Sequence, residues 1–71
     1  MPVKTYYVIV STKEGADYYY AKDKFFTTDF SRAFLMDERW YANILMKYVQ
    51  KTMSTTPLRL QEVVITLKDV K

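Results

Sequence analysis

Cysteine and histidine are both absent from the 71 residues, and there is a single glycine. Without cysteine the chain can hold no disulfide, no zinc thiolate and no thiol nucleophile. Without histidine it lacks the commonest acid–base side chain and the commonest metal ligand. Long apolar runs are missing too. The longest, Tyr6 to Val10, has five residues, far short of the ~20 that a membrane-spanning helix needs. No signal-peptide pattern is present, and a chain that opens at Met1 without a tag reads as a complete cytosolic protein. Charge is nearly balanced, with 11 Lys and Arg against 8 Asp and Glu and a net charge of +3. That permits an acidic partner without requiring one. There is no repeat, linker or low-complexity segment.

What remains is apolar and aromatic. Hydrophobic residues make up 49% of the chain and aromatic ones 17%, which predicts a packed core rather than disorder. The length suits one domain over residues 1–71. Its core must be thin, so a homodimer is a reasonable way to gain buried area.

One stretch organises the chain: Asp37 to Met53, DERWYANILMKYVQKTM. At about 100° per residue, Tyr41, Ala42, Leu45, Met46, Tyr48, Val49 and Met53 share one face, with Arg39, Asn43, Lys47, Gln50 and Lys51 opposite. This spacing predicts an amphipathic helix of about four turns, with Asp37 as N-cap and Glu38 favourably placed in the first turn. Ahead of it, Val3–Val10 is dense in β-branched and aromatic residues and reads as a strand apolar on both faces. Residues 11–16, with Gly15, form a hairpin loop, and Asp17–Lys22 returns as a second strand. Residues 23–28 extend that strand past a kink or form a loop. Thr28 or Asp29 caps a short helical turn, and Ala33–Met36 reads as a third short strand. Pro57 follows the helix. Leu58–Leu67 is the last strand, with a bulge expected near Gln61–Glu62 to bring Leu58 and Leu60 onto the face of Val63, Ile65 and Leu67. The expected fold is α+β: a small antiparallel sheet of three to four strands with one amphipathic helix on one face, β-β-(β)-α-β. A single helix covers one face, so the other is left to solvent, a partner or a second copy.

The stretches TYYVIV and TTDFSRAFLMDERWYANIL, with Phe30, Ser31, Ala33 and Phe34 leading into a helix that carries Ala42, resemble small accessory proteins of phages and prophages of Gram-positive bacteria. The likeness covers roughly Thr5 to Met53. It implies a protein that binds a host or defence protein, as inhibitors of the anti-CRISPR kind do. It carries over no catalytic or binding residue. Charge departs from the pattern, since many such inhibitors are acidic mimics of DNA and this chain is basic.

Three candidate sites emerge from the residues themselves. Trp40 falls beside Ile44, Lys47 and Lys51, near Asn43 and away from the Leu45–Val49 face. An exposed tryptophan flanked by basic residues is the composition of an interface hot spot. Against this, large aromatics are usually mostly buried, and Trp40 could fold back onto residues 25–34. Tyr18 and Tyr20, with Lys22 and Lys24 at the margin, could stack nucleic-acid bases on an open sheet face. Yet tyrosine is a strong strand former, the basic residues form no stripe, and there is no RNA-binding motif. Asp17, Asp23, Asp29, Asp37 and Glu38 could serve acid–base or metal chemistry, but several stand where caps and turns want a carboxylate, and no metal-loop spacing appears. The sequence therefore reads as a non-enzyme without cofactor or metal. Its first reading is a protein-binding module at Trp40, Lys47, Lys51, Asn43 and Ile44. Its alternative is a small nucleic-acid-binding protein using the tyrosines.

Overall fold

The computed structural model describes residues 3–21, 25–52, 56–67 and 69. Strand β1 (Val3–Lys13) turns directly into β2 (Ala16–Ala21), and β3 (Phe25–Thr27) follows. A 3-10 turn at Phe30–Arg32 then leads to helix α1 (Arg39–Thr52), and β4 (Leu58–Thr66) closes the chain. The strands form one antiparallel sheet in the order β3-β2-β1-β4. With α1 packed on one face, this is the expected α+β architecture.

Alternation along the strands fixes the two faces. On the helix side, Ile9, Tyr20, Met36, Ala42 and Val49 form a buried cluster, with Tyr7, Phe26, Phe34, Leu45, Met46, Leu58 and Leu60 packed around it. Burial of a valine or isoleucine side chain contributes about 1.5–3 kcal/mol, so Ile9 and Val49, both fully buried, are principal anchors of the helix–sheet contact.

Several local expectations are corrected. The first strand runs on to Lys13, paired with Ala16, so the loop shrinks to Glu14 and Gly15. Both have positive φ, 53° and 82°, the backbone of a two-residue hairpin turn whose twist matches the strands. The third strand is Phe25–Thr27, paired with β2 from Tyr19↔Thr27 to Ala21↔Phe25. Ala33 and Met36 instead make single bridges, to Ala21 and to Tyr7. Residues 33–36 thus wedge between the end of β2 and the first half of β1, held by Phe34 N–H to the Tyr20 carbonyl (2.9 Å) and by two bonds between Tyr7 and Met36 (2.7 and 2.9 Å). Asp29 caps the 3-10 turn as expected, its carboxylate accepting from the Ser31 amide at 3.0 Å.

The last strand has no bulge. Its register with β1 is unbroken from Val3↔Thr66 to Ser11↔Leu58. Leu58 and Leu60 reach the core because they share the face of Ile9, which sends Val63 and Ile65 to the opposite face. The helix begins one residue late: the Glu38 carbonyl accepts from the Ala42 amide at 3.0 Å, so the cap position falls on Glu38, not Asp37. Its buried face is narrower than the wheel predicted. Tyr41 and Tyr48 are exposed, because Ala42 and Val49 centre the contact and the tyrosines stand about 90–100° from them. Gln50, placed with the outward residues in the sequence, is half-buried. Met53 lies outside the described residues.

The face away from the helix is not bare. Val8 and Val10 are fully buried on it. The 3-10 turn folds over its β2–β3 margin, with Phe30 edge-on to Tyr19 at 5.2 Å and the Arg32 guanidinium over the Phe25 ring at 5.4 Å.

Candidate functional site

Helix α1 carries its sequence-predicted site outward. With Ala42 and Val49 turned into the sheet, the 100° spacing sends Trp40, Ile44, Lys47 and Lys51 to the opposite side. Trp40 is 63% exposed and Ile44 59%, so Trp40 does not fold back onto residues 25–34. Its ring lies edge-on to Tyr41 at a centroid distance of 6.1 Å. Tyr41 and Tyr48 extend the same patch: Trp40–Ile44–Tyr48 are one helical turn apart in succession, and Tyr41 stands at the flank of Ile44. Lys47 and Lys51 are exposed beside it, and Asn43 is half-buried at its far margin. Sequence reasoning had assigned Tyr41 and Tyr48 to the core, so the ridge is more aromatic than expected. The missed signal was the width of the helix contact: two small or β-branched residues, Ala42 and Val49, set the closest approach and leave flanking tyrosines outside.

The helix is fixed in place by a polar clasp. The Gln50 side chain donates to the Thr56 carbonyl (3.0 Å) and accepts from the Leu58 amide (2.8 Å). It ties the last turns of α1 to the start of β4 and satisfies a strand amide at the sheet edge. Next to it, the Ser11 and Thr56 hydroxyls lie 2.7 Å apart. The ridge therefore sits on a rigid element rather than a loop, a favourable support for a binding surface.

The tyrosine site does not assemble. Tyr20 is only 6% exposed, a member of the core cluster, and edge-on to Phe26 at 5.6 Å. Burial pushes its phenol above its ordinary pKa of 10.0, with nearby Tyr41 and Tyr48 adding in the same direction. Tyr18 pairs with Ser11, shares Tyr20's face and is half-buried. Both were expected on the open face, but residues 33–36 and the helix cover the side to which even positions of β2 point. Lys22 and Lys24 lie outside the described residues.

The carboxylates take structural positions. Asp17 accepts from the Thr12 hydroxyl at 2.8 Å and pairs with Arg59 at 3.3 Å, while Arg59 also bonds Thr12. The Thr12 hydrogen bond, then the Arg59 guanidinium, hold the Asp17 carboxyl below its ordinary value of 3.8. Asp29 is likewise lowered by the Ser31 hydroxyl and amide. Among the described residues, no three acidic side chains gather where they could hold a metal ion, and no helix is long and apolar enough to cross a membrane. Comparison of the chain with protein-family models, curated proteins and solved structures found no match.

Proposed function

We propose that the protein is a non-enzymatic binding module that docks another protein on the outer ridge of α1. The observation that carries this reading is the exposure of Trp40 in one row with Ile44 and Tyr48, on a helix whose opposite side is anchored in the core. An aromatic left outside contributes little to the fold. Set into a partner's apolar groove it can supply much of an interface's energy, with truncation costing ~2 kcal/mol or more. Lys47 and Lys51 beside the ridge favour a groove rimmed by carboxylates. The finer reading rests on the sequence resemblance: a phage or prophage accessory protein acting in the host cytoplasm, occluding a functional surface of a host or defence protein.

The test pairs Trp40→Ala with Lys47→Glu. Pull-downs from a Gram-positive host lysate, with and without nuclease, should recover a protein with the parent chain and lose it with the double variant, whose melting temperature should stay near the parent's. Binding should also weaken only modestly with salt, as an apolar contact does. Capture that needs nucleic acid and falls steeply with salt would point to counterion release and overturn the reading.

A further inference from the structure

We propose that the free edge of β4 pairs antiparallel with β4 of a second copy, joining two four-stranded sheets into one across a two-fold axis at Val64. The backbone sets up the contact. Tyr7 spends both its amide and its carbonyl on Met36, so its pairing with Glu62 is one of the positions without hydrogen bonds between β1 and β4. Glu62 and the residues of the same parity, Leu60, Val64 and Thr66, therefore point their amides and carbonyls out of the sheet edge. Leu58 obeys the same parity, and its outward amide is the one taken by Gln50.

Two of the usual protections are absent from this edge: residues 58–66 contain no proline and their register shows no bulge. The charges that also blunt exposed strands are confined to Arg59 and Glu62. The opposite edge, β3, is only three residues long. Residues 63–67, VVITL, carry no charge, and Val64 is 57% exposed, with Ile65 and Leu67 also exposed.

Self-complementarity selects a second copy as the occupant. An axis at Val64 sets Val64 against its own copy and Glu62 against the second copy's Thr66, pairs whose outward groups bond each other. Two bonds per pair make about six in all. Between them Val63 meets the second copy's Ile65, so β-branched side chains pair on the face away from the helix. An axis at Glu62 would oppose two carboxylates. The axis at Val64 stands perpendicular to the sheet, so both helix ridges face the same way and remain open.

Sedimentation at roughly 100 μM should give a dimer of twice the 8.5 kDa chain mass. Val64→Lys, which opposes two ammonium groups across the axis at an exposed position, should give a folded monomer, while Trp40→Ala stays dimeric. Because the chain has no cysteine, Val64→Cys should form an intermolecular disulfide under mild oxidation, and Val3→Cys should not. A monomeric parent chain, or a Val64→Lys variant that stays dimeric, would overturn the pairing. These measurements need no partner, so their failure is separate from failure of the ridge.

Discussion

At the scale of single residues, the hairpin turn and the Asp17 cluster carry the clearest consequences. Gly15 adopts φ 82° freely, but Glu14 holds φ 53°, a left-handed conformation that costs an ordinary side chain about 1–2 kcal/mol. Asparagine tolerates this region and is favoured before glycine in two-residue turns. Glu14→Asn should therefore stabilise the fold by roughly 0.5–1 kcal/mol, read as a higher melting temperature. Asp17 acts through pH. Its folded pKa lies below its ordinary 3.8, so its contribution is present in full above that value. It is lost as pH falls through the folded pKa. Melting curves of the parent and Asp17→Asn should differ most near neutral pH and converge as pH drops below 3.8. The group is exposed, so the difference should be small.

At the scale of elements, the helix and its clasp decide stability. The wheel alone points to Leu45 as the middle of the apolar face, but Leu45 is half-buried while Val49 has no exposed surface. Val49→Asp should cost roughly 3–5 kcal/mol as an unpaired buried charge and abolish the cooperative melting transition. Gln50→Ala removes the bonds to the Thr56 carbonyl and the Leu58 amide and should cost about 1–3 kcal/mol. Chemical denaturation with unchanged slope would check that the loss is one of stability rather than of fold.

At the scale of the whole molecule, an elongated form results from one long ribbon and one short helix. The principal extents are 47 × 26 × 20 Å, with a radius of gyration of 13.3 Å, against about 11 Å for a compact chain of this length. The helix cannot reach the end of the sheet where Val3 and Val64 are exposed. Two of the apolar surfaces among the described residues differ in character. The α1 ridge is aromatic and flanked by lysine, and suits a foreign protein. The β4 edge is uncharged along residues 63–67 and self-complementary, and suits a second copy. Combining Trp40→Ala with Val64→Lys should remove both associations and leave a monomer with a single melting transition near the parent's.

Much of this was already written in the sequence. Strand and helix periods differ, so TYYVIV, DYYYA and the Arg39–Thr52 stretch declared their types locally, and one helix opposite several strands left little choice of class. Asp29 was legible as a cap because a carboxylate two residues before an amide has a specific local use. Trp40 was legible as a candidate only by its angle. Its exposure depended on which residue of the helix approaches the sheet most closely, and Ala42 and Val49 decide that through contact with strands distant in sequence. The same holds for Tyr20, whose face was set when residues 33–36 wedged beside β2. It holds too for Leu58 and Leu60, which needed no bulge once β4 took its register from β1. Local chemistry determined the elements. Register, wedge and closest approach, which exist only between elements, decided which side chains were left outside.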